Sequence, residues 1–203
     1  MIQSKRYEEI KTTIAQVIED YCPIGSTTDI FNLAKAMKIK VLYATQIIKN
    51  NIDISELDIF KLPNSFLHYY DKLGVLVVYI DDIGCTIERQ RFSLAHEIGH
   101  IILEHLTQSE ANEEEANFVA EYLLVPHSLV MIEEASSYMC NPSFIEYAFN
   151  VSSDVAYISA SHINNRYNLT YAPFKYEKTI NTIFKDYLLY LIEEYNYHVE
   201  STI

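Results

Sequence analysis

The chain is poor in the residues that punctuate or cross-link a fold. Its 203 residues include no Trp and only 4 Gly, 5 Pro and 3 Cys. So few glycines leave little room for a phosphate-cradling loop, which needs backbone positions free of a Cβ. Cys22, Cys85 and Cys140 lie far apart with no Cys-x-x-Cys pair. An odd, scattered set reads as reduced core thiols of a cytoplasmic protein rather than a disulfide framework. Positive charge is scarce as well: 15 Lys and Arg stand against 28 Asp and Glu, a formal net charge of −13. That argues against direct nucleic-acid binding, where phosphate neutralisation needs clustered cations, and suits a basic protein partner. The longest apolar run, Tyr187 to Ile192, is far too short to span a membrane. The opening residues, Met1-Ile-Gln-Ser-Lys-Arg6, are charged too early for a signal peptide. Internal repeats and low-complexity tracts are absent. What is present suits a globular domain with a packed core: 49% of the residues are hydrophobic, 17 of them Tyr.

Apolar spacing predicts an amphipathic helix over residues 4–21, broken by Pro23 and Gly25. Thr28 or Asp29 can cap a second helix over Ile30 to Met37. Ile39 to Ala44 alternates as a short strand, and residues 45–64 look polar and irregular. Ser65 to Tyr70 and Leu73 to Asp81 read as a hairpin around Asp71-Lys-Leu-Gly74, with Val75 to Ile80 apolar enough to be central. Helices are expected over 127–135, 143–149, 152–166 and Asn181 to Tyr195, with 170–178 extended. Residues 143–166 imitate a helix-turn-helix, but Arg166 is their only Lys or Arg, so packing is the better reading.

The chemistry is concentrated in His96-Glu-Ile-Gly-His100. Two histidines four apart on a helix share a face one turn apart, so both imidazoles can reach one metal ion. The Glu between them sits where it can take a proton from an activated water. This is the spacing of a zinc hydrolase. Leu94, Ile98, Ile101, Ile102 and His105 form a helical core stripe beside the ligand face. Gly99 is costly inside a helix, which suggests that another backbone or a substrate comes close there.

A catalytic zinc keeps three protein ligands and one open position. His105 on the same straight helix does not reach the metal, and reads as a core or second-sphere histidine. Ser109-Glu-Ala-Asn-Glu-Glu-Glu-Ala-Asn117 is the better source, with Ser109 capping a helix that ends before Pro126. Glu113, Glu114 and Glu115 compete. Glu113 shares a face with Ala116, Asn117, Ala120 and Leu124, where two alanines permit close approach to the His helix. Glu113 is therefore preferred as ligand, Glu114 and Glu115 are read as solvated, and Asn117 can bond a ligand imidazole.

Arg91-Phe-Ser-Leu-Ala-His-Glu-Ile-Gly-His100 and Glu113-Glu-Glu-Ala-Asn-Phe-Val-Ala-Glu-Tyr-Leu-Leu-Val-Pro126 together resemble the ImmA/IrrE family of metallo-endopeptidases. Ser93 and Val125 are mild departures from its Thr and Met, and the likeness continues into Phe149-Asn-Val-Ser152, covering roughly residues 30–168. The resemblance implies a gluzincin-like zinc site on His96, His100 and Glu113, with Glu97 as general base. It also implies cleavage of a DNA-binding helix-turn-helix repressor in a phage, mobile-element or stress-response circuit. Manganese or iron suits the same ligands. The rival is a non-catalytic, zinc-containing regulator that docks a repressor or other partner. Donors for a reaction oxyanion would come from His127, Tyr138, Tyr157, His162 or Arg166.

The implied fold is α+β and zincin-like: a small, mostly antiparallel sheet packed on the metal-binding helix, followed by a helical C-terminal part. Residues 1–126 would form the metallopeptidase-like part, and residues 127–203 a helical part packed with it as one domain. Phe66 to Tyr70 is the candidate edge strand for holding an extended substrate.

Overall fold

A computed structural model of the chain describes residues 4–26, 28–50, 65–70, 75–107, 109–167 and 173–201. In chain order its main elements are α1 (Ser4–Tyr21), α2 (Ile30–Ala36), β1 (Lys40–Tyr43), α3 (Ala44–Lys49), β2 (Ser65–Tyr70), β3 (Val75–Ile80), α4 (Ile87–Ile102), α5 (Glu110–Leu124), α6 (Ser136–Met139), α7 (Pro142–Phe149), α8 (Ser153–Tyr167) and α9 (Lys175–Ser201). They group into two compact units, Asp29–Ala120 and Met1–Thr28 with Glu121–Ile203. The sequence suggests a division at 126/127. The units divide instead at 28/29 and 120/121, and α1 goes with the C-terminal part. The reason is burial: Ile10, Ile14 and Ile18 are fully buried where α1 packs on α9.

In the Asp29–Ala120 unit, the Asp29 carboxylate caps α2 by accepting from the backbone N–H groups of Phe31 and Asn32 at 3.0 and 3.1 Å. The fold is α+β, with a three-stranded sheet of order β1-β3-β2. This sheet is mixed, not mostly antiparallel as the sequence suggests, because β1 runs parallel to β3 while β2 runs antiparallel to it. A short connection returns β3 beside β2, whereas β1 is separated from β3 by α3 and β2, a crossover long enough for parallel pairing. The central place of β3 agrees with its composition: Val77, Val78, Tyr79 and Ile80 are each at most 3% exposed. Residues 45–49 are helical where irregular chain was expected, and the rest of that stretch, 51–64, lies outside the described residues, as does the turn at 71–74. The start of α3 is held from across the sheet, where the Asp82 carboxylate accepts from Thr45 N–H at 2.9 Å and from the Thr45 hydroxyl.

Thr86 caps α4, its hydroxyl oxygen accepting from Arg89 N–H at 3.3 Å. Ser109 does the same for α5, accepting from Asn112 N–H at 3.1 Å. One face of α4 packs on β2 and β3, and another meets α5 closely. A Cβ placed on Gly99 would lie 3.1 Å from the Ala116 Cα, the Ala116 carbonyl oxygen and the Val119 Cβ. The close partner anticipated at Gly99 is thus another backbone, and Ala116 and Ala120, both fully buried, allow the approach.

The second unit is helical. Residues 127–131 and 133–135 form 3-10 turns where a helix was expected. The α7–α8 turn uses Asn150 in the left-handed region (φ 49°). Extended chain was expected through 178; residues 168–172 lie outside the described residues, but α9 already begins at Lys175. Glu177 explains the early start, since its carboxylate accepts from Phe174 N–H at 2.8 Å, the backward half of a capping box.

Replacing Gly99 by Ala should gain about 1 kcal/mol of helix propensity yet lower stability overall, because overpacking at such a contact costs about 1–3 kcal/mol. A lower midpoint in urea unfolding is the expected outcome. An unchanged or higher midpoint would mean that the α4–α5 contact yields without cost.

Candidate metal centre

Three side chains converge within the Asp29–Ala120 unit. His96 and His100 project from α4, and their Nε2 atoms are 3.1 Å apart. Glu113, in the first turn of α5, places Oε2 3.2 Å from His96 Nε2 and Oε1 3.4 Å from His100 Nε2. Two donors bound to one tetrahedral ion at about 2.0–2.1 Å lie about 3.4 Å from each other. Two imidazole nitrogens and a carboxylate at 3.1–3.4 Å therefore fit a single divalent ion in both spacing and donor type. The centre is open on the carboxylate side: the Glu113 side chain is 45% exposed, against 16% and 13% for His96 and His100.

The surroundings favour the neutral, ligating form of His100. Burial lowers the His100 pKa, and the neighbouring His96 lowers it further, against the opposing pull of Glu113. The Asn117 amide oxygen lies 3.0 Å from His96 Nδ1. Nδ1–H therefore donates outward and the lone pair stays on Nε2, facing the centre. Glu97 is buried at 5% exposure. It follows His96 on α4 and lies about 60° from His100 around the helix axis.

Two sequence expectations need correction. His105 is not on the His helix, because α4 ends at Ile102 and Glu104 takes a left-handed backbone (φ 55°). The chain reverses there, and His105 Nδ1 comes back to 3.0 Å from His100 Nδ1. Glu115 is not a solvated acid: its side chain is 14% exposed and Oε2 lies 3.2 Å from His105 Nε2. Glu114 is half-buried. No sequence periodicity signals the His105–Glu115 pair, because it depends on a chain reversal at a residue that is not glycine.

A second cluster, within the other unit, has a different character. One carboxylate oxygen, Glu121 Oε1, accepts from His127 Nε2–H at 2.9 Å, His162 Nδ1–H at 2.9 Å and the Ser159 hydroxyl at 3.1 Å. Every contact runs from a proton donor to a single acceptor, so this is a hydrogen-bonded knot centred on one carboxylate oxygen. It also engages two of the residues considered as oxyanion donors, His127 and His162. Of the others, the Tyr138 hydroxyl bonds Asn196, Tyr157 is 71% exposed, and the Arg166 side chain lies outside the described residues.

Burial pushes the Glu121 carboxyl up, but hydrogen bonds from His127 and His162 more than reverse this and hold it at about 2. The hydrogen bond to Glu121 raises His162 against the opposing effect of burial. A depressed carboxyl contributes stability that is complete above its ordinary value near 4.5 and is lost as pH falls toward 2. A raised imidazole contributes stability that is complete below its ordinary value near 6.5 and is lost as pH rises through the raised value. The stability difference between wild type and Glu121→Gln should therefore be largest at about pH 4.5–6.5 and shrink on both sides. Urea titrations across pH check this, and a difference independent of pH would refute the knot.

Among the described residues no helix is long and apolar enough to cross a membrane. A family model described as the IrrE N-terminal-like domain, Peptidase_M78, matches residues 49–161. No curated protein matches the chain. The matched stretch contains His96, Glu97, His100, Glu113 and Asn117 and spans more than half of the sequence. The chain belongs to the Peptidase_M78 family, the IrrE N-terminal-like domains, a metallopeptidase-type family.

Proposed function

We propose that the chain is a zinc-dependent endopeptidase, with His96, His100 and Glu113 as metal ligands and Glu97 as general base. The observation that carries this reading is the convergence of two imidazole nitrogens and one carboxylate within 3.1–3.4 Å, open on one side, with a buried Glu between the two histidines. When bound, zinc lowers the pKa of a water toward about 7 and polarises the scissile carbonyl. The protein's own contributions are distinct. Asn117 orients His96. Glu97 takes the proton of the attacking water on its carboxylate and hands it to the leaving amine. A closed structural zinc site uses four ligands and has no task for such a base. Manganese and iron suit the same donors.

The substrate reading is a DNA-binding repressor of the helix-turn-helix kind, cut within an extended segment. Two features support it. Formal net charge of −13 attracts a basic partner. Among the described residues β2 pairs with β3 alone, so its outer edge can take up an extended peptide by main-chain hydrogen bonds.

Protein purified without chelator or affinity nickel should carry about one zinc per chain, and His96→Ala should lose it. Glu97→Gln should keep the metal and slow cleavage of a helix-turn-helix repressor from the same genome by about 100-fold or more, followed by mass spectrometry of the fragments. Full activity in Glu97→Gln would remove the base. A well-folded, metal-free wild type would leave a docking module instead.

A further inference from the structure

We propose that His105 and Glu115 are positioning residues for the metal centre, a carboxylate–imidazole relay that fixes the tautomer of His100 so that its Nε2 lone pair faces the ion. This rests on the reading of His100 as a metal ligand.

Proton accounting runs inward from the carboxylate. An ionised Glu115 only accepts, so the 3.2 Å contact with His105 Nε2 requires the proton to sit on that nitrogen. In the relay the single ring proton of His105 is the one given to Glu115, and its Nδ1 presents a lone pair. The 3.0 Å contact between the two Nδ1 atoms requires His100 Nδ1–H to donate into it. The proton of His100 is thereby committed to the outer side of the ring, and Nε2 is left bare toward His96 Nε2 and Glu113 Oε1, at 3.1 and 3.4 Å. The opposite orientation would put a proton on His100 Nε2, where it would block ligation. His96 is treated the same way by a different device, the Asn117 amide oxygen on its Nδ1. Both ligand imidazoles thus have an outward acceptor.

The backbone builds this relay at the end of α4. Glu104 N–H donates to the Ile101 carbonyl at 3.1 Å and His105 N–H to the His100 carbonyl at 3.0 Å. With Glu104 left-handed, these two bonds form a Schellman ending, which stacks the second residue past the cap on the last turn of the helix, three positions before the cap. Those two residues are His105 and His100. Glu115 comes from α5, two residues after the ligand Glu113, and both partners are enclosed, with side chains 6% and 14% exposed. Enclosure excludes water as a substitute acceptor and gives the orientation its force.

Two measurements test the relay. Long-range nitrogen–proton NMR spectra of metal-free wild type should show His100 protonated at Nδ1 and His105 at Nε2. Glu115→Leu and His105→Phe, checked for folding by thermal melts, should bind zinc about 10–100-fold more weakly than wild type in chelator competition. Folded variants that bind within about twofold of wild type would overturn the relay, given that second-sphere losses usually exceed this. So would a wild-type spectrum with His100 protonated at Nε2. If the variants fail to fold, the wild-type spectrum decides alone. If wild type binds no zinc, the ligand assignment fails, while the spectrum still reports whether the relay exists.

Discussion

Everything at the metal centre depends on how closely α5 can approach α4. The two imidazoles come from one helix and need only helical spacing to meet. The carboxylate comes from another, and an unusually close contact brings it into range. Gly99 provides it, since a Cβ there would lie 3.1 Å from the Cα and the carbonyl oxygen of Ala116. A larger residue there would meet Ala116 and Val119 of α5. The contact involves the backbone of Ala116 as well as the Val119 Cβ, so it leaves little room for a side chain at position 99.

Two clusters of histidine and carboxylate occur among the described residues, and donor accounting separates them. Around Glu121 a single oxygen accepts hydrogen bonds from His127, His162 and Ser159. Around Glu113 the Asn117 amide oxygen lies on the outer nitrogen of His96, and two imidazole nitrogens and a carboxylate face one another at 3.1–3.4 Å. In the first arrangement one oxygen is the shared acceptor; in the second the spacing and donor types fit a divalent cation. Similar residue types and spacings, read without protons, look alike.

Two expectations failed for one physical reason, which is that long-range geometry is not encoded in local periodicity. The sheet's parallel pair joins Lys40–Tyr43 to Val77–Ile80, far apart in sequence. Nothing in the alternation of either strand specifies the direction of its partner. The first helix was assigned to the metallopeptidase part by its position in the chain, yet its buried Ile10, Ile14 and Ile18 belong with α9. The early start of α9 at Lys175 is a different case, a local one, in which the Glu177 carboxylate accepts from Phe174 N–H.

What the sequence determined by itself was whatever a helix or a strand expresses over a few residues. That includes the His96 and His100 pair, the Glu97 between them, the cap at Ser109, the apolar run of β3, and the α5 face that joins Glu113 to Asn117, whereas the choice of Asp29 over Thr28 as the α2 cap came from the structure. What only tertiary structure decided was which groups from different elements meet. The return of His105 over His100, its pairing with Glu115, and the knot at Glu121 all depend on chain reversals and helix contacts. The decisive reversal sits at Glu104, a residue without the glycine signature that usually marks a left-handed turn.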